Sequence, residues 1–420
     1  MLVLFFILLF VVLSLYDIQK SVVLLFVMNV FFGSFSFWGF SLMAFLLIVQ
    51  MLFFFIKYPN SIKCISAMPF KTAVISFTIS LLCTNLLSQM RTIPNMLFLF
   101  CFYFVLLFIL IFFFKKEPAS FVRSLEYVSV IYAIVIVCYT FFELFTGLNP
   151  FIEMMIPRED HVAQTFISEV RFGLKRCQSF FSMHTTLGGV AYNVAAVLIV
   201  FYKTSSKNKI MLCLIVLLGI VVFVTGARSC ILSFCILCLM LIPSLDRKTM
   251  LLVFLVGIVF ASEYFLEIVN AFINTDKIDG SNSDMRMTQL FISLSYFGQS
   301  PIWGNGSGFL FTKIVSEGLD LELAGAESMW FNVLADYGIL GVIAEIVIFV
   351  SCIVYSVRKR NKSVVFYVIG YFVMHTMSSV PGVQYELILV YTFVLNAVMD
   401  YYKKISKVLS VRCKILKECQ

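Results

Sequence analysis

Long blocks of apolar residues separated by short polar or basic interruptions run the length of the chain. Runs such as 96–114 and 329–357 approach or exceed the roughly 20 residues a helix needs to cross about 30 Å of hydrocarbon. A helix is the expected spanning element because it satisfies its own backbone groups where no water reaches them. The pattern predicts spans over 1–15, 21–32, 35–56, 72–88, 95–114, 122–144, 186–202, 210–225, 229–244, 249–269, 329–357, 363–380 and 385–401. That makes about 13, with about 12 and a cytoplasmic amino terminus as the alternative, since the first two runs are short. The expected fold class is all-α, a polytopic transmembrane helix bundle. The first 16 residues carry no basic leader region and no small-residue cleavage site, so they predict a retained span.

Two segments assigned to the outer side are too long for turns, and long polar loops on one face commonly carry function. The expected organisation is transmembrane helices over 1–144, a first long outer loop over 145–185, and transmembrane helices with a turn at Arg228 over 186–269. A second long outer loop follows over 270–328, then transmembrane helices over 329–402 and a basic cytoplasmic tail over 403–420. In the second loop Met287, Leu290, Phe291, Leu294 and Phe297 recur at helical spacing, with Ser283 as N-cap, Gly298 as stop and Pro301 just beyond. This predicts an amphipathic helix, either lying in the membrane interface or packing its apolar face on neighbouring spans. No internal repeat points to duplicated transporter halves.

Composition fixes the solvent. Sixty-one per cent of the 420 residues are hydrophobic, 13% are charged and the mean hydropathy is +1.00, which excludes a water-soluble globular domain of this length. The net charge of +8 reads as topology rather than as nucleic-acid binding. Basic clusters at Lys57/Lys63, Lys115/Lys116, Lys203/Lys207/Lys209, Arg247/Lys248, Arg358 to Lys362 and Lys403 to Lys417 mark one side as cytoplasmic. Of the twelve cysteines, most fall in spans or on that side, leaving Cys177 as the outer-loop thiol, so no disulfide framework follows. Cys235 and Cys238 sit in an apolar run and read as small hydrophobes.

Against this background a few residues are conspicuous. Thr225-Gly226-Ala227-Arg228-Ser229 interrupts the apolar stretch 210–244, which as a single helix would be ~52 Å long, too long for one span and slightly short for two. An arginine there costs ~2.5 to 3.5 kcal/mol on insertion scales unless it meets an anion or a hydrated cavity. Arg171, Lys175 and Arg176 precede a span on the outer side, and Arg286 opens the amphipathic helix. Guanidinium forks suit phosphate or diphosphate, and several converging would neutralise it without a metal. Lys175 better fits a lipid headgroup. Glu327, at the lip of the span starting at Met329, is placed to act as a general base, whereas Glu317, Asp320 and Glu322 read as solvated. His184 and His375 read first as packing residues near span ends, and the three histidines have no metal-ligand spacing. Trp303-Gly304-Asn305-Gly306-Ser307-Gly308 reads as a glycine-rich turn and not as a phosphate cradle. Asp336 and Glu345 are acids buried within one span.

The order of these features resembles the bacterial O-antigen ligase and Wzy-type polysaccharide polymerase superfamily. Thr225-Gly226-Ala227-Arg228-Ser229 resembles its small-x-Arg-small turn between two short spans. Arg286, the helix after it and Pro301-Ile302-Trp303-Gly304-Asn305-Gly306 resemble its Arg, helix, Pro-x-x-Gly-x-Gly block. Glu327-Ser328, nine residues and Gly338-Ile339-Leu340-Gly341 resemble a ligase pattern of His, then Asn, Ser or Gln, nine residues and Gly-x-x-Gly. The resemblance covers about Arg171 to Glu345, and Glu327 stands where ligases carry His, which favours a polymerase over a ligase.

The resemblance implies a glycosyltransferase that uses no nucleotide sugar and no cofactor. Its donor would be an oligosaccharide on undecaprenyl diphosphate and its acceptor a sugar hydroxyl of the next lipid-linked unit, on the periplasmic face of a bacterial inner membrane. It also implies a surface glycan such as O-antigen or capsule as product, membrane lipids as surroundings and a chain-length regulator protein as a further partner. Glu327, Arg228 and Arg286 are the expected catalytic residues, and Arg171, Arg176, His184 and Ser328 are expected to bind substrate. The alternatives are an O-antigen ligase that transfers glycan to a lipid core and, in a different class, a flippase or transporter of the lipid-linked oligosaccharide.

Overall fold

A computed structural model describes residues 2–33, 35–37, 40–61, 68–88, 100, 104–155, 170–171, 174–181, 183–204, 208–244, 283–313, 328–377 and 387–418. Over these the chain is almost entirely helical. The first half contains α1 (Leu2–Tyr16), α2 (Ile18–Val27), α3 (Asn29–Gly33), α4 (Leu42–Lys57), α5 (Lys71–Leu87), α6 (Leu106–Lys116), α7 (Pro118–Thr146) and α8 (Pro150–Met155). The second half contains α9 (His184–Thr204), α10 (Lys209–Val224), α11 (Arg228–Cys238), α12 (Ser283–Gln299), α13 (Met329–Arg358), α14 (Val364–Met377) and α15 (Leu387–Glu418). Two small antiparallel pairs, β1 (Ser36–Phe37) with β2 (Phe40–Ser41) and β3 (Val170–Arg171) with β4 (Leu174–Lys175), are the strands among the described residues.

The helical class is as expected. By length and composition, three of the described helices, α7, α9 and α13, can cross a membrane; α2, α4, α5, α10, α11, α14 and most of α1 are shorter apolar helices. The expected span 249–269, and much of the two long loops, lie outside the described residues.

Several boundaries differ from the expected ones for local reasons. The run 21–32 breaks at Met28, where Asn29 Nδ2 donates to Phe26 O at 2.5 Å. The run 35–56 opens with the β1–β2 hairpin and turns helical only at Leu42, where the Ser41 hydroxyl accepts from Ala44 N. Beyond the expected span 385–401, the helix α15 continues through the basic segment to Glu418.

The core is centred on α9, whose side chains are buried along nearly its whole length. It packs against α7, α10, α11 and α15. Gly188, Gly189, Ala191, Ala195 and Ala196 let neighbouring backbones approach, the usual device where lipid removes any hydrophobic drive between helices. Two buried tyrosines of this core are paired. Tyr192 Oη donates to Tyr367 O at 2.6 Å, and Tyr367 Oη to Asn193 Oδ1 at 3.0 Å. Basic residues sit at the other helix ends, where Lys359 pairs with Asp400 at 3.2 Å and Lys403 donates to Arg360 O.

Candidate active site

The site is built on the break between α10 and α11. Gly226 takes φ +63°, and Thr225 Oγ1 donates to Val222 O at 2.6 Å while accepting from Ala227 N, so the chain reverses and Arg228 becomes the first residue of α11. The apolar stretch thus divides where the sequence predicts, and Arg228 is buried at 9% exposure. A strand of chain crosses this turn. Arg176 Nε donates to Thr225 O at 2.8 Å, and Cys177 N donates to Val224 O at 3.1 Å. These carbonyls close α10, where helical partners run out, and a guanidinium there also complements the negative end of the helix dipole.

His184 opens α9 on the same side. Its neighbour Thr185 offers a carbonyl to Cys230 Sγ at 3.7 Å, and a Cβ on Gly188 would lie 2.7 Å from that sulfur, which is why α9 carries glycine where it meets α11. Ser328 caps α13 by accepting from Trp330 N at 3.3 Å. The Trp330 indole then donates to Thr376 Oγ1 near the end of α14, whose Met374 faces Gly189 of α9. The N-terminal ends of α9, α11 and α13 therefore gather around the C-terminal end of α14. Three partial positive ends together with buried Arg176, Arg228 and His184 make this end of the bundle suited to an anion.

A second block locks onto α13. That helix breaks at Gly338 (φ +61°, ψ −156°), and the 301–306 loop fills the gap in its hydrogen-bond ladder. The carbonyls of Ala335 and Asp336 accept from Asn305 N and Gly306 N, both at 3.1 Å. The freed amides of Ile339 and Leu340 donate to Pro301 O and Ile302 O at 2.9 and 3.2 Å. Asp336 accepts from Gly308 N and Leu310 N, both at 3.0 Å, and Asn305 Nδ2 donates to Tyr296 O and Ala335 O. Thr84 Oγ1 of α5 donates to Trp303 O at 2.7 Å. What reads in sequence as a simple glycine-rich turn is a clamp that gives new partners to the carbonyls of Ala335 and Asp336 and the amides of Ile339 and Leu340, as a low-dielectric setting demands.

The clamp carries α12, the helix of Arg286. Gln289 and Ser293 are fully buried, Ile292 and Tyr296 pack around Phe309, Leu310 and Ala335, and α12 lies on α13. Met287, Phe291 and Leu294 point outward, with Phe291 62% exposed. The helix thus packs on α13 through one face while part of its apolar stripe faces outward. Arg286 sits half-buried in the first turns of α12.

The segments carrying Arg176, His184 and Arg228 thus meet at one end of the bundle, that of Ser328 joins them through Trp330 and α14, and Arg286 is connected through the packing of α12 on α13. Arg171 lies in β3 opposite Leu174, and its side chain, like Glu327, lies outside the described residues. Cys177, the thiol of the first long loop, is fully buried, and burial, with Glu143 nearby and Lys175 opposing, pushes its thiol up to about 12. Sequence reasoning also missed the structural parts played by Asp336, Asn305 and Glu143. A carboxylate in the last turn of a helix, as at Glu143, opposes the dipole and was the available signal for that residue.

The described residues form a largely helical, apolar bundle with buried arginines where helix N-termini gather. Residues 213–346 match the family model described as O-antigen ligase, and over that stretch the chain is similar to that family. The matched segment contains Arg228, Arg286, the clamp and Gly338, whereas Arg176 and His184 precede it. The match supports a membrane glycosyltransferase-like enzyme of surface-polysaccharide biosynthesis. No curated protein matches the chain.

Proposed function

We propose that the protein polymerises lipid-linked oligosaccharide repeat units of an O-antigen, capsule or related glycan on the periplasmic face of a bacterial inner membrane. The observation that carries this reading is the tie between Arg176 and the Thr225 turn, which brings buried Arg176 to the turn that ends at buried Arg228. Undecaprenyl diphosphate is the group such a site would grip. Arg228, Arg176 and Arg286 stabilise the diphosphate as it departs, with Arg171, His184 and Ser328 around it. The acceptor hydroxyl oxygen forms a bond to the anomeric carbon as the bond from that carbon to the phosphate oxygen breaks. The electron pair leaves with undecaprenyl diphosphate, and the hydroxyl proton passes to Glu327. The outward stripe of α12 rests among lipid tails beside the lipid-borne donor.

The matched model's description as a ligase favours a second reading, transfer of finished glycan to a lipid core. Cells lacking the protein separate the two. Loss of a polymerase leaves single repeat units attached to the core, and loss of a ligase leaves none. The arginine assignment is tested by Arg228→Ala and Arg286→Ala, each expected to abolish long glycan chains while the protein still reaches the membrane. A normal chain-length ladder in either variant removes it.

A further inference from the structure

Immediately after Arg176 the chain makes a turn that is both strained and doubly held. Ser179 takes φ +53°, a left-handed conformation unfavourable for a residue with a Cβ. Glu143, fully buried in the last turn of α7, accepts from Gln178 N at 3.0 Å and from Ser179 N at 2.7 Å through one carboxylate oxygen. On the other side of the same residue, Asn149 Nδ2 donates to Ser179 O at 2.9 Å. Asn149 Oδ1 is itself fixed by Tyr139 Oη at 3.0 Å and Ile152 N at 3.2 Å. Phe180 then stacks on Tyr139 with centroids 4.1 Å apart. Strain over-determined in this way is characteristic of sites whose geometry matters for function.

The clamped turn has one short reach. Two residues before it Cys177 is bonded to Val224 O, and three before it Arg176 is bonded to Thr225 O, on the turn that ends at Arg228. The carboxylate of Glu143 and the amide of Asn149 thereby connect α7 to the Arg228 turn through a segment in which Arg176, Cys177, Gln178 and Ser179 are all buried. We infer that Glu143 and Asn149 are positioning residues, which hold the Arg176 guanidinium in register with Arg228 for a diphosphate-bearing substrate. The inference rests on the reading of the arginines given above, and neither residue lies in the segment matched to the family.

The test is a double-mutant cycle on purified protein supplied with lipid-linked repeat units, following elongation. Glu143→Ala is expected to lower kcat/KM for the lipid-linked donor at least about tenfold, and Glu143→Gln, which keeps one acceptor oxygen, to recover most of it. Added to Arg176→Ala, Glu143→Ala is expected to cost nothing further, because its effect runs through that arginine. Losses that multiply, or a Glu143→Ala enzyme with unchanged kcat/KM, overturn the inference. If Glu143→Ala does not fold, Asn149→Ala carries the same cycle with the same two outcomes. Full activity in Arg176→Ala alone contradicts the arginine reading itself, which keeps the two failures apart.

Discussion

Gly304 and Gly338 meet backbone to backbone: a Cβ on Gly338 would stand 2.7 Å from Gly304 N, and one on Gly304 2.5 Å from Tyr337 N. Both take positive φ, and Gly338 lies in a region that essentially glycine alone adopts. The pair lets a loop replace the missing rungs of a broken helix. Gly304→Ala and Gly338→Ala are each expected to cost more than about 3 kcal/mol, from the conformation and the collision together. Thermal unfolding of the detergent-purified variants reads this directly, and Gly298→Ala, with open space around it, serves as the silent control.

Asp336 caps the far side of the same loop through two backbone amides. Asp336→Asn keeps one acceptor oxygen and is expected to lower stability by about 1 to 3 kcal/mol, with Asp336→Leu lower still. Activity per folded molecule should fall far less in Asp336→Asn than in Arg228→Ala. Equal losses would make Asp336 part of the chemistry.

Cys177 gives a pH signature. Burial, then the charge of Glu143, raises its thiol to about 12 while Lys175 pulls the other way. The reactive thiolate is then roughly one part in 10,000 at pH 8. A maleimide should leave Cys177 unlabelled in the native protein at that pH, with labelling rising as pH climbs or once detergent unfolds the chain. Rapid native labelling at pH 7, mapped by mass spectrometry, contradicts the buried position.

The outward stripe of α12 should lie in lipid. A fluorophore attached to cysteine at position 291 is expected to be quenched by lipid-borne quenchers in reconstituted vesicles, and one at exposed Thr288 less so. Stronger quenching by aqueous iodide than by lipid at position 291 would place the stripe in water.

How much of this was readable from sequence depends on how far apart the interacting residues lie. The Arg228 turn was legible because an arginine among apolar residues has no local explanation, and α12 was legible because its stripe has helical spacing. The face α12 buries, Gln289 and Ser293, was not, since polarity alone points such residues outward. The clamp was missed because its partners, Ala335 to Leu340, lie about thirty residues beyond the loop, as the Ser307–Tyr337 and Asn305–Ala335 hydrogen bonds illustrate. Glu143 was passed over for the same reason, its acceptor role resting on amides 35 and 36 residues away. The breaks at Asn29 and Ser41 depend on single side-chain bonds that average hydropathy does not register.

The central claim is that buried arginines at one end of the bundle hold a diphosphate while a glycosidic bond forms. Purified protein in liposomes with lipid-linked repeat units measures it most directly, by product length and released undecaprenyl diphosphate. Wild-type protein is expected to give elongated chains with one lipid diphosphate released per unit added, and Arg228→Ala to give neither. Movement of intact units across the bilayer without bond cleavage, or full elongation by Arg228→Ala, would contradict it.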